Sequence, residues 1–153
     1  MKRVAVLGGG PAGSTAAARL ASAGLDTILL DEKLAWEKPC GGGITHKAYH
    51  QYPYLLENAV GKSKVSTTVL RAPHAGAFEM ELTRPLIIYP RLHLNKLLLD
   101  RAEQAGVQIE KERVTCLDRS ANGWRIRTRR GTFDADYCVV ATGARNSLRN
   151  VGT

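Results

Sequence analysis

Residues 3–31 read RVAVLGGGPAGSTAAARLASAGLDTILLD: an apolar strand, a glycine-rich turn, a small-residue helix and a second strand closing on an acid. Gly8, Gly10 and Gly13 form a G-x-G-x-x-G turn, and Asp31 follows 18 residues after the last glycine. In this order, between a strand and a helix, the pattern is that of a dinucleotide-binding βαβ unit. Gly8 permits the tight turn out of the strand. Gly10 lets the backbone approach a pyrophosphate, and Gly13 lets the helix pack against the strands. Pro11 suits a first helical turn, where its missing N–H costs nothing. The helix then points its free N–H groups at the phosphates. Its buried stripe is expected at Ala12, Ala16, Ala17 and Ala21, with Gly24 as the C-terminal cap. Asp31 falls where a carboxylate accepts from both hydroxyls of an adenosine ribose and repels a 2′-phosphate. An ordinary glycine turn, with Asp31 as a strand-end cap, is the plainer reading of the same residues.

Outward from this unit, residues 32–45 form a loop containing Pro39-Cys40-Gly41-Gly42-Gly43, and 46–64 is helical or irregular. Strands are expected at 65–71, 77–82 and 86–89, and an amphipathic helix at 95–105 with Leu94, Leu97, Leu98, Arg101, Ala102 and Ala105 on one face. Short strands between 113 and 134 follow, turning at Asn122-Gly123 and Arg130-Gly131, and residues 135–143 end a buried parallel strand at a glycine. The fold class is therefore α/β: a Rossmann-like domain with a central parallel sheet (3–7, 27–31, 107–110, 137–141), an antiparallel meander over one face, and the start of a second small sheet.

At 153 residues, with 44% hydrophobic and 24% charged residues, the composition is that of a globular domain. No apolar run approaches the roughly 20 residues of a membrane span. The short apolar run after Met1-Lys2-Arg3 ends in glycines and reads as a strand rather than a signal peptide. Cys40, Cys116 and Cys138 have neither zinc nor disulfide spacing; the last two read as small core residues, and a cytoplasmic setting fits all three. His46, His50, His74 and His93 show no metal-ligand pattern, and no metal is expected. The net charge of +8 raises nucleic acid as a partner. Arg125, Arg127 and Arg129, however, alternate along one strand and read as one exposed sheet face.

Four segments in this order carry a resemblance: the first glycine motif, Lys38-Pro39-Cys40-Gly41-Gly42-Gly43, Tyr89-Pro90-Arg91 with Leu98, and Ala141-Thr142-Gly143-Ala144 with Ser147 and Arg149. Together they resemble FAD-dependent oxidoreductases of the geranylgeranyl reductase family, within the p-hydroxybenzoate hydroxylase-like class of flavoproteins. The resemblance implies FAD as cofactor, with Gly8, Gly10, Ala12 and Gly13 at its pyrophosphate and Asp31 at the adenosine ribose. It places Cys40, Gly41 and Gly43 along the flavin, Arg91 at the pyrophosphate, the backbone of Val114 at the adenine, and Gly143 against the cofactor. Cys40 reads as a small residue packed beside the flavin rather than as a nucleophile. The catalytic residues are not identified.

The implied activity is flavin-dependent reduction of an apolar, isoprenoid alkene, with NAD(P)H as a candidate electron donor and peripheral membrane contact as a candidate association. The oligomeric state is open. Residues 1–45 and 90–153 are expected to form the FAD-binding domain, and 46–89 to begin the substrate side. Chains of this family run longer, and their later Gly-Asp segment is absent, so an N-terminal part is expected. Rival readings are a flavin monooxygenase or halogenase, and a truncated, non-catalytic nucleotide-binding module. The monooxygenase branch usually has Asp-Gly where Thr142-Gly143 stands, and the lysine and tryptophan signature of halogenases is not found.

Overall fold

The computed structural model describes residues 1–144 and Leu148. It divides into two compact units, one made of Met1–Trp36 with the chain from Asn95 onward, the other of Glu37–Leu94. In the first unit β1 (Arg3–Leu7), β2 (Asp26–Leu30), β6 (Gln108–Glu110) and β10 (Tyr137–Val140) form a parallel sheet in the order β10-β1-β2-β6. Such strands are buried on both faces, which is why they read as continuous apolar runs. On one face α1 (Pro11–Ser22) and α4 (Arg91–Gln104) supply Ala17, Leu99 and Ala102, packed with Val6 and Leu29. On the other, Leu117, Ile126 and Ala135 of a meander, β7 (Val114–Ser120), β8 (Gly123–Thr128) and β9 (Thr132–Ala135), pack against Ala5, Leu7, Ile28 and Leu30.

Helix α1 buries Gly13, Ser14 and Ala17, while Ala12 is exposed, so the expected alanine stripe is rotated towards Ser14. Gly24 (φ +83°) follows the end of α1, and Leu25 N–H donates to Leu20 O at 3.2 Å. This closes a glycine-terminated helix end. Helix α4 ends the same way at Gly106, with Val107 N–H on Ala102 O at 3.0 Å. It starts four residues before the expected 95, directly after Pro90, and Arg101 is exposed rather than on its buried face.

The meander differs from expectation in three places. The β7–β8 turn is made by Ala121 and Asn122, because Gly123 already pairs with Ser120. A Cβ at Gly123 would collide with the carbonyl of Ala135, so the glycine serves the sheet rather than the turn. Arg129 lies beyond β8. Arg125 and Arg127 do share the exposed face, and each is neutralised there, by Asp134 at 3.1 Å and Asp118 at 2.8 Å. Cys116 is half-buried among polar groups, its Sγ 3.3 Å from both Asp118 Oδ1 and Arg127 Nη2. Cys138 packs against the first core, where burial pushes its thiol up to about 11.

In the second unit β3 (Gly43–Ile44), β5 (Gly76–Ile88) and β4 (Ser63–Ala72) form an antiparallel sheet in the order β3-β5-β4, beside the short helices α2 (His46–Gln51) and α3 (Pro53–Leu56). β5 runs through Pro85, where two separate strands were expected. The register jumps there, from Val65 opposite Leu86 to Thr67 opposite Glu81, so Pro85 sits in a bulge that needs no ladder N–H. Among the described residues no helix is long and apolar enough to cross a membrane.

Candidate nucleotide site

The β1–α1 turn is drawn tight by the protein itself. Gly8 has φ +109°, its N–H donates to Leu30 O at 2.8 Å, and a Cβ there would lie 2.5 Å from Ala141 O. A Cβ on Gly13 would fall on the carbonyl of Gly8. Ser14 is fully buried; its Oγ–H donates to Gly9 O at 3.0 Å and its N–H to Gly10 O at 2.9 Å. Gly10 is different. It is the N-cap of α1 with φ −72° and ψ −179°, a conformation open to any residue, and nothing lies within 4 Å of where its Cβ would be. Two glycines answer to packing, and the third faces open space at the positive end of a helix.

Asp31 stands beside this turn. Its Oδ2 accepts from Gly9 N–H at 2.8 Å, and its Oδ1 from Lys33 and Leu34 N–H at 2.8 and 2.7 Å. The last bond holds Leu34 in a left-handed conformation, φ +56°. With Oδ1 doubly engaged, one acceptor position on Oδ2 is left for a ligand hydroxyl. A cleft of about 170 Å³ opens here, lined by Gly8, Asp31, Glu112, Arg113, Val114 and Thr142. The hydroxyl of Thr142 is buried and lacks a hydrogen-bond partner among the described residues. Gly143, the next residue, has φ +78° and is exposed. Thus Gly8, Gly10, Gly13, Asp31 and Val114 come together around one turn and cleft, with Ala12 exposed on the first turn of α1. Ser147 and Arg149 lie outside the described residues.

Cys40, Gly41, Gly43 and Arg91 belong to the second unit. Gly43 pairs with Ile88, and Gly42 has φ +63° at a point where a Cβ would collide with Tyr89 O, so only glycine fits. Gly41 is exposed, with open space before it. Arg91 Nη1 donates to Cys40 Sγ at 3.4 Å. The Cys40 thiol is held below its ordinary range, first by the Gly42 N–H and then by the positive charge and hydrogen bond of Arg91. Iodoacetamide should therefore alkylate Cys40 at lower pH than an unstructured thiol, and well before the half-buried Cys138. Arg91→Ala should move the Cys40 midpoint upward, as mass spectrometry across a pH series would record. A midpoint unmoved by that substitution would rule out the contact.

Sequence reasoning missed Ser14 and Glu37, as well as Glu32, Glu112 and Arg113 of the cleft. Ser14 had a local signal, a hydroxyl on the packing face directly after Gly13. Glu37 had none: its carboxylate accepts from Arg91 and Leu92 N–H at 3.2 and 3.0 Å, capping α4 from 54 residues away.

Residues 2–152 match the family model described as pyridine nucleotide-disulphide oxidoreductase. A chloroplastic geranylgeranyl diphosphate reductase of Arabidopsis thaliana is 60% identical over 149 residues, 95% of this chain and 32% of that protein. A solved structure from Thermoplasma acidophilum, described as geranylgeranyl bacteriochlorophyll reductase-like, has a TM-score of 0.73 at 23% identity, covering 93% of this chain and 39% of that one. Halogenase PltM in complex with phloroglucinol and FAD gives a TM-score of 0.76 at 17% identity, covering 96% and 35%. At these identities the two structures bear on the fold alone. The chain spans 24–38% of the length of the curated relatives it matches.

Proposed function

The chain belongs to the pyridine nucleotide-disulphide oxidoreductase family, and from that premise we propose that it holds the ADP half of FAD in an oxidoreductase of geranylgeranyl reductase type. The observation that carries this reading is Gly10. The protein's own packing accounts for Gly8 and Gly13 but not for the open space before Gly10, and that space suits a pyrophosphate at the start of α1. Gly8, Gly10, Ala12 and Gly13 would hold the pyrophosphate, with Asp31 taking a ribose hydroxyl and Val114 and Gly143 bordering the adenosine. Cys40, Gly41 and Gly43 would run along the flavin, and Arg91 would reach the phosphates. On this reading residues 1–45 and 90–153 make the FAD-binding domain, and 46–89 open the substrate side.

FAD, when bound, supplies the hydride of such an enzyme, and the protein supplies position and electrostatics. The name of the reductase relatives, geranylgeranyl diphosphate reductase, supports an isoprenoid substrate, here taken as an alkene, and NAD(P)H is the proposed electron source. Three cysteines free of disulfides suit a reducing cytoplasm. Titrating the chain with FAD, followed by flavin fluorescence, tests the site. ADP should displace the flavin and FMN should not, since the residues described bind the ADP half. Displacement by FMN but not ADP would overturn the assignment.

A further inference from the structure

We propose that the Glu32–Arg113 ion pair on the rim of the cleft is a specificity lock that keeps 2′-phosphorylated adenosine out of this site. The inference rests on the reading of the cleft as the adenosine end of a dinucleotide site. Arg113 Nη1 lies 3.3 Å from Glu32 Oε2, and both side chains are about half exposed. Glu32 and Arg113 both line the cleft, with Asp31 and Glu112. Among the described lining residues, Arg113 is thus the one cation against three carboxylates. The Asp31 N–H donates to Glu110 O at 3.1 Å, which ties the end of β2 to the segment that carries Glu112 and Arg113. Glu112 is nearly buried, with Oε1 3.5 Å from Arg130 Nε.

A ribose 2′-phosphate is a doubly charged anion, and sites that accept it place an arginine beside the ribose. This cleft has such an arginine, but Glu32 engages it. Asp31 cannot swing away from an incoming phosphate either, because backbone N–H groups hold both its oxygens. The two consecutive acids therefore do different work. Asp31 receives the ribose, and Glu32 disarms the one cation that the described lining residues offer a 2′-phosphate.

The lock is tested by calorimetric binding of ADP-ribose and 2′-phospho-ADP-ribose to the whole chain, as wild type, Glu32→Gln, and Glu32→Gln with Arg113→Ala. Wild type should prefer ADP-ribose. In Glu32→Gln the phosphorylated ligand should gain about tenfold, the scale of one freed charged hydrogen bond. ADP-ribose should bind that variant nearly as before, which also reports an intact site. Adding Arg113→Ala should erase the gain, and Glu32→Ala should reproduce it. An unchanged preference in both Glu32 variants, with ADP-ribose still bound, overturns the lock and leaves the nucleotide reading standing. Wild type that binds neither ligand overturns that reading and the lock with it.

Discussion

Gly13→Ala is expected to destabilise the chain by about 3 kcal/mol, and Gly8→Ala by a similar amount. In an ordinary helix the same change stabilises, since alanine exceeds glycine in helix propensity by roughly 0.8–1 kcal/mol. The sign reverses here because the new methyl meets backbone. At Gly13 it lands on the carbonyl of Gly8, with Ala141 Cβ 3.3 Å away, and at Gly8 it meets Ala141 O at 2.5 Å in a left-handed conformation. A flexible side chain would yield, but this backbone is pinned. Gly8 N–H is bonded to Leu30 O and Ala141 N–H to Leu7 O, each at 2.8 Å. Urea unfolding followed by circular dichroism measures the loss, with Gly41→Ala as the control, because nothing lies within 4 Å of that position. The control should stay within about 0.5 kcal/mol of wild type. Equal midpoints for Gly13→Ala and the control would mean the turn is not packed against Ala141.

The contrast between these glycines marks how far the sequence could be read. The strand-turn-helix-strand was legible because its signals are local: apolar runs, a fixed glycine spacing and a terminal acid within 29 residues. Where expectation and structure part, the deciding partner is distant in sequence. Pro85 stays inside β5 only because Thr67 pairs with Glu81 and opens a bulge. The Asn122-Gly123 turn shifts by one residue because Gly123 must clear Ala135. Helix α4 begins at Arg91 because Glu37 supplies the acceptors that its first N–H groups lack. The site follows the same rule. Gly8, Gly13 and Asp31 were legible from spacing, whereas the bonds of Asp31 to Gly9 and Leu34, and the pairing of Glu32 with Arg113, exist only once the chain is folded.

Gly10→Val is expected to leave the fold intact and to abolish nucleotide binding. Its backbone angles are ordinary for valine, and beyond the adjoining residues no atom stands within 4 Å of the added Cβ, so the new branches enter open space. The one structural cost is valine's poorer fit to a helix N-cap, about 1 kcal/mol. On the proposed reading the pyrophosphate occupies the volume those methyl groups fill, and the N–H groups at the start of α1 would lose its oxygens. At roughly 1.5–3 kcal/mol for each charged hydrogen bond, losing one or two lowers affinity by about a hundredfold or more. FAD and ADP should weaken together, since they share the pyrophosphate, while adenosine, which has no phosphate to place, should be nearly unaffected. Fluorescence titration and a thermal melt on the same sample separate binding from stability. A normal melt with normal FAD affinity would place the pyrophosphate elsewhere and detach the cleft at Asp31 from the turn that Gly8 and Gly13 build.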